Sequence, residues 1–114
     1  MSRKKIKRTI DRVLSEHKVV SPVEVSIAIV GDRKMRQLNK KYRNLDKTTN
    51  VLSFPIAEGE VPALPPDNTL RLGDIVLSFP QVIRDAARDE MLVDDKVDEL
   101  VAHGLLHLMG MHHG

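Results

Sequence analysis

Across residues 3–17, Ile6, Ile10, Val13 and Leu14 recur on one helical face, while Arg3, Lys4, Lys7, Arg8 and Arg12 fall mostly elsewhere. That spacing predicts an amphipathic helix. Ser21-Pro22 punctuates the chain. Val23–Val30 alternates and is rich in β-branched residues, so it predicts a strand. Gly31-Asp32 ends that strand. Asp32 is the expected N-cap of a helix reaching about Tyr42, with Met35, Leu38 and Tyr42 turned inward. Asn50 to Pro55 reads as a short strand stopped by proline. Residues 56–71, with Gly59, Pro62, Pro65 and Pro66, read as a loop. Gly73–Ser78 is a further strand. Pro80 opens a helix to about Glu90, at the first-turn position proline favours. Asp94 or Asp95 is the expected start of a last helix carrying Val97, Leu100, Val101 and Leu108. The order helix-strand-helix-strand-strand-helix-helix implies one small sheet covered by helices, an α/β fold of the α+β type.

A length of 114 residues fits one domain, spanning 1–114. Such a chain buries about two thirds of its unfolded surface, enough for a core. Aromatics make up only 3% of it, so that core must be aliphatic. The absence of cysteine excludes disulfides and thiolate metal sites, and fits a reducing cytoplasm. Lys7 and Arg8 break the apolar stretch a signal peptide would need, and no apolar run is long enough to span a bilayer. No membrane partner is expected. The net charge of +2 hides an asymmetry. Residues 1–47 carry 14 Lys/Arg against 5 Asp/Glu, and residues 48–114 carry 4 against 11. A basic half points to a polyanionic partner; any single cluster reads equally well as a solvated helix face.

Four of the five histidines fall in the last twelve residues. His103, His107 and His113 stand at H-x3-H-x5-H, with Gly110 between the second and third. Imidazole is the commonest protein ligand for divalent transition metals near neutral pH. Residues four apart share a helix face, so His103 and His107 can grip one ion from one helix. Gly110 can take the left-handed backbone that ends a helix and lets His113 return to the same ion. Three protein ligands leave one position open, as in a catalytic zinc site. The same spacing occurs in the metzincin proteases, H-E-x-x-H-x-x-G-x-x-H. Gly104 stands where those enzymes have the glutamate that takes the water proton, so the peptidase reading loses its base.

The string from His103 to His113 resembles the H-G-x-L-H-L-x-G-Y-D-H signature of the YbeY family, bacterial endoribonucleases of ribosomal RNA maturation. Leu38-Asn39-Lys-Lys-Tyr42-Arg43 and Thr49-Asn50-Val51-Leu52-Ser53-Phe54-Pro55 are similar to that family's N-x-x-Y-R and T-[DN]-V-L-S-F-P segments. Leu72-Gly73-Asp74-Ile75 is similar to its L-G-D-I strand. The resemblance is collinear from residue 23 to 113. It implies a small domain with a mixed sheet packed by four to five helices and a zincin-like HxxxH helix at its C-terminal end. It implies His103, His107 and His113 as ligands of one zinc ion, with nickel or another divalent metal as an alternative occupant. It implies Arg43 as a functional, catalytic arginine facing substrate phosphate. The implied activity is metal-dependent cleavage of single-stranded RNA in 16S ribosomal RNA processing and ribosome quality control. The implied partners are ribosomal RNA and the small ribosomal subunit, with no DNA expected. Met111-His112 replaces the family's Tyr-Asp, so His112 stands as a rival third ligand or a nearby acid/base. Thr48 replaces its usual proline.

On these residues the expected chemistry is metal-assisted phosphodiester hydrolysis, with Arg43 gripping phosphate through its planar fork. The alternative for Arg43 is a salt bridge to Asp46. Thr49, Asn50 and Ser53 are small polar residues suited to lining a substrate groove, and Asn50 and Ser53 are expected to bind substrate. Asp74 either orients a ligand histidine or bonds backbone amides at a strand start. The basic stretches Arg3–Arg12 and Arg33–Lys47 are candidate RNA tracks. Stacking is limited to Tyr42, Phe54 and Phe79. A second function class is a metal-stabilised RNA- or ribosome-binding assembly factor with little turnover; a zinc metallopeptidase is a third.

Overall fold

The computed structural model describes residues 2–56 and 69–110. Its elements follow the predicted order: α1 (Arg3–Glu16), β1 (Val23–Val30), α2 (Asp32–Arg43), β2 (Val51–Pro55), β3 (Leu70–Ser78), α3 (Phe79–Arg88) and α4 (Val93–Leu108). The strands form one mixed sheet in the order β1-β3-β2. β1 runs parallel to β3, and β2 antiparallel to it. The result is a small α+β domain with four helices among the described residues.

Strand alternation divides the core between the two sheet faces. On one face, Leu72 and Ile75 pack with Val13 of α1 and with Leu105 and Leu108 of α4. On the same side, Leu77 packs with Val82 of α3 and with Val97, Leu100 and Val101 of α4. On the other face, Val76 and Leu52 pack against Met35 of α2. The buried apolar residues are all aliphatic or methionine, as the scarcity of aromatics requires.

Leu72 and Ile75 are three apart yet share a face. A bulge explains this: Glu24 pairs with Arg71 but Val25 pairs with Gly73, so β3 carries one extra residue. Gly73 takes φ +140°, and a Cβ there would run into the Phe54 carbonyl on β2. Only glycine fits. The bulge also lengthens the strand beyond the prediction: β3 begins at Leu70, inside the stretch read as loop. Residues 57–68 of that predicted loop lie outside the described residues.

Two helix starts and one orientation differ from the sequence reading. Gly31, not Asp32, is the N-cap of α2. Asp32 is the first helical residue, and its carboxylate reaches outward. Oδ1 accepts hydrogen bonds from Ser78 Oγ at 2.9 Å and Thr48 Oγ1 at 3.1 Å, and Oδ2 accepts one from Arg84 at 2.6 Å. One carboxylate thus ties α2 to the end of β3, the approach to β2, and α3. The last helix starts at Val93 after Leu92, with Asp94 and Asp95 in its first turn, where they complement the helix dipole. Lys5 bridges from α1 to Asp95 at 2.8 Å and Asp98 at 3.4 Å. Tyr42 does not turn inward; it is 54% exposed at the end of α2.

Candidate functional site

The C-terminal half of α4 packs one face on β3 and presents another outward. Val101, Gly104, Leu105 and Leu108 are buried, while His103 is exposed and His107 half-buried. The two histidines are four apart on continuous helix, as their spacing predicts. Gly104 lies between them in sequence but points at the sheet. A Cβ there would sit 3.2 Å from Ile75 Cγ2 and 3.3 Å from Cδ1. A carboxylate at 104 would therefore enter the core rather than the histidine face, which supplies a packing reason for glycine where the proteases have glutamate. Gly110, at φ +78°, follows the last turn and donates its N–H to the His107 carbonyl. The backbone turn expected there is present. His113 and its rival His112 lie outside the described residues.

β2 brings the second part of the site. Its residues are β-branched, aliphatic or aromatic apart from Ser53, whose side chain falls on the α4 side of the sheet. Ser53 is buried, and its Oγ lies 2.6 Å from His107 Nδ1. Its carbonyl accepts a hydrogen bond from Arg43 Nη2 at 3.0 Å. Among the described residues β2 is an edge strand, so a carbonyl can face outward to meet the guanidinium. Arg43 is the last residue of α2, which Asn44 ends in the left-handed conformation at φ 59°. The Asp46 alternative does not form: Arg36 takes that carboxylate at 2.8 Å. Arg43 stays exposed, with a five-donor fork of which one bond to Ser53 fixes the position.

Ser53 thus contacts both a candidate ligand and the candidate phosphate-binding residue. This is a different role from the groove-lining one expected of it. Asn50 is engaged elsewhere: its amide donates to Asp85 Oδ2 at 2.9 Å, and the buried Asp85 also accepts from Gln81 at 2.8 Å. Asn50 therefore ties the start of β2 to α3. Asp74 is exposed, opposite Phe54 on β2, and on the sheet face away from Ile75 and α4. It does not orient His103 or His107; Ser53 is the residue that contacts His107. The basic residues Arg33, Lys34, Lys40, Lys41 and Lys47 are exposed along α2 and just beyond it. Those of α1 lie across the sheet, since α1 packs with α4 and α2 packs on the opposite face.

The donor set fits a borderline-soft divalent ion. Two imidazoles share a helix face, and one is held at Nδ1 by a hydroxyl, the outer-shell pattern that fixes a ligand's orientation. Among the described residues no group of three His, Cys, Asp or Glu could hold a metal; His112 and His113, the sequence's candidates for a third ligand, lie outside the described residues.

A histidine-bearing C-terminal helix laid across a small mixed sheet, with an arginine brought in at the sheet edge, defines a compact α+β class of domain. Within it, this chain belongs to the YbeY family: the family described as "Endoribonuclease YbeY" matches residues 1–114. Relatives of that name include one from Anaeromyxobacter sp., 43% identical over 90 residues, covering 79% of this chain and 44% of the relative. Another, from Thermoanaerobacter sp., is 37% identical over 115 residues, covering 95% of this chain and 72% of the relative. The chain spans about half the length of several curated relatives, 44% and 54% for those of Anaeromyxobacter and Syntrophus aciditrophicus. The solution structure of TM1509 from Thermotoga maritima is similar over 97% of this chain and 66% of its own, with TM-score 0.63 and 25% identity. Among the described residues, no helix is long and apolar enough to cross a membrane.

Proposed function

We propose that this protein is a metal-dependent endoribonuclease that cleaves single-stranded RNA and acts in the maturation and quality control of small-subunit ribosomal RNA in the cytoplasm. The observation that carries this reading is the position of Ser53. Its hydroxyl holds His107 at 2.6 Å while its carbonyl holds Arg43 at 3.0 Å, so one residue sets a candidate metal ligand beside a candidate phosphate grip. His103, His107 and His113 are the proposed ligands of one zinc ion. With Nδ1 engaged by Ser53, His107 would ligate through Nε2. A bound ion would supply an activated water and polarise a phosphoryl oxygen. Arg43 would bind phosphate oxygens bidentately, and the Ser53 carbonyl would keep its fork aimed. Phosphoryl transfer leans on charge stabilisation, so the lack of a carboxylate at position 104 is less serious than for peptide cleavage.

The packing of Gly104 on Ile75 argues against a metallopeptidase, because it turns that position away from the histidines. Multiple-turnover cleavage of an end-labelled single-stranded RNA tests the reading. Cleavage should disappear with chelator and with His103→Ala or His107→Ala. Arg43→Gln should slow cleavage while metal content holds. RNA binding that survives chelation, with no cleavage under any metal, would instead establish the assembly-factor reading. Metal content unchanged in both histidine variants would refute the site.

A further inference from the structure

Arg43 also lines a cavity of about 470 Å³, together with Tyr42, Phe54, Pro55 and Ile56. The volume falls in the roughly 300–1,000 Å³ range of small-molecule sites. Its walls are unusual for this chain. Tyr42 and Phe54 meet edge to face, with ring centroids 5.1 Å apart and planes at 64°. These are two of only three aromatic residues in the sequence. Tyr42 is 54% exposed and Ile56 61% exposed. The Lys41 ammonium lies 5.2 Å from the Tyr42 ring centroid. An aromatic, mainly apolar cleft that Arg43 lines, with the Lys41 ammonium against its Tyr42 ring, matches one ligand chemistry closely: a planar base carried on an anionic backbone. A buried protein side chain would use the apolar walls but not the paired cations. A free phosphate would use the cations but not the rings.

We propose that this cleft binds one unpaired nucleobase of an RNA strand, stacked against Tyr42, and so sets which phosphate Arg43 receives. The proposal deepens the endoribonuclease reading and rests on it. Phe54 braces the Tyr42 ring from the sheet, which lowers the entropic cost of holding the ring for stacking. Arg43 lines the cleft and touches Ser53, whose hydroxyl touches His107. The Tyr42–Phe54 cleft lies on the α2 side of the sheet and His107 on the α4 side, and the Arg43 guanidinium meets the β2 backbone between them. A base seated here would therefore set its sugar-phosphate at Arg43, and the strand would pass round β2 to reach the histidines. Requiring an unstacked base favours single strands over duplex, because a paired base cannot enter.

The test is equilibrium binding of a short unstructured RNA, read by fluorescence anisotropy, to chelator-treated protein so that no turnover intrudes. Tyr42 is exposed, so Tyr42→Leu keeps the apolar volume without disturbing the core. It should weaken binding about 10-fold, as loss of one stacked base does, with the salt dependence unchanged. Tyr42→Phe should bind as the unsubstituted protein does. Arg43→Gln should weaken binding and lower the salt slope by about one phosphate contact. An RNA whose bases are replaced by abasic sugars should not distinguish Tyr42→Leu from the unsubstituted protein. Equal binding of intact RNA by Tyr42→Leu and the unsubstituted protein overturns the cleft assignment while leaving the nuclease reading in place. Loss in Tyr42→Phe equal to that in Tyr42→Leu also overturns it, by assigning the effect to the hydroxyl. Failure of the unsubstituted protein to bind any RNA sinks the functional reading and this proposal together.

Discussion

Gly104→Ala is the substitution whose sign the structure decides. In an open helix interior, alanine in place of glycine stabilises by about 1 kcal/mol, because glycine loses more backbone freedom on folding. Position 104 is not open. The added Cβ would meet three atoms of Ile75 at 3.2, 3.3 and 3.4 Å, each inside the usual carbon–carbon separation of about 3.5–4.0 Å. Ile75 is fully buried between Leu105, Leu108 and Val13, so it has no solvent to move into. Its branched side chain also has few alternative rotamers. Overpacking of this kind costs about 1–3 kcal/mol, which exceeds the helix gain. The expected net loss is about 1 kcal/mol, read as a lower urea midpoint at constant slope and a drop in Tm of roughly 4 °C. Ile75→Val removes Cδ1, one of the crowded atoms, and by itself should cost about 1 kcal/mol. In the double variant the two costs should fall short of their sum by at least about 0.5 kcal/mol. Because the crowding pushes α4 off β3, it should also disturb the 2.6 Å contact between His107 and Ser53, so retention of the proposed zinc ion should fall in Gly104→Ala and recover in the double. If Gly104→Ala raises stability by about 1 kcal/mol, or if the two substitutions add without coupling, the packing explanation for this glycine is wrong.

Ser53→Ala should weaken binding of the proposed zinc ion about 10-fold in competition with a chromophoric chelator, and Ser53→Thr should restore most of it; unchanged affinity in the alanine variant would remove Ser53 from the site. Gly73→Ala forces a left-handed backbone on alanine and drives its Cβ into the Phe54 carbonyl, so it should cost more than about 2 kcal/mol; an unchanged urea midpoint would contradict the bulge geometry. The Arg84 guanidinium, with Ser78 and Thr48, holds the Asp32 carboxyl below its ordinary pKa. A depressed carboxyl contributes stability above its unfolded pKa of about 4 and loses it as pH falls through its lower folded value. Asp32→Asn should therefore be less stable than the parent at pH 7, with the gap closing below pH ~4; a gap that stays constant through that range would show that the clamp is not acting through charge.

How much of this was legible in the sequence follows the range of each interaction. The helix and strand order came from periodicities within single segments, and the structure keeps it. That His103 and His107 share a helix face was legible for the same reason: a spacing of four on one helix fixes it without reference to anything else. Arg43 could be picked out through a family motif, but not its partner, since Arg36 competes for Asp46 and wins. The Asp32 clamp was misread as a cap because its partners, Ser78 and Arg84, lie 46 and 52 residues away. The contact between Ser53 and His107 spans 54 residues and depends on the register of β2 on β3 and of α4 on the sheet. Register in turn depends on the bulge at Gly73, which sets the parity of β3. Without the extra residue, the face that carries Leu72 would carry Asp74 instead of Ile75, and a carboxylate would face α4 where the core now lies. The sequence reading of Asp74 as a histidine partner was tenable only with that parity unknown. The same glycine that admits the Phe54 carbonyl therefore keeps an acid off the histidine face. Ser53 is left as the polar side chain of β2 that meets α4, and the serine's two bonds then join His107 and Arg43 across the sheet edge.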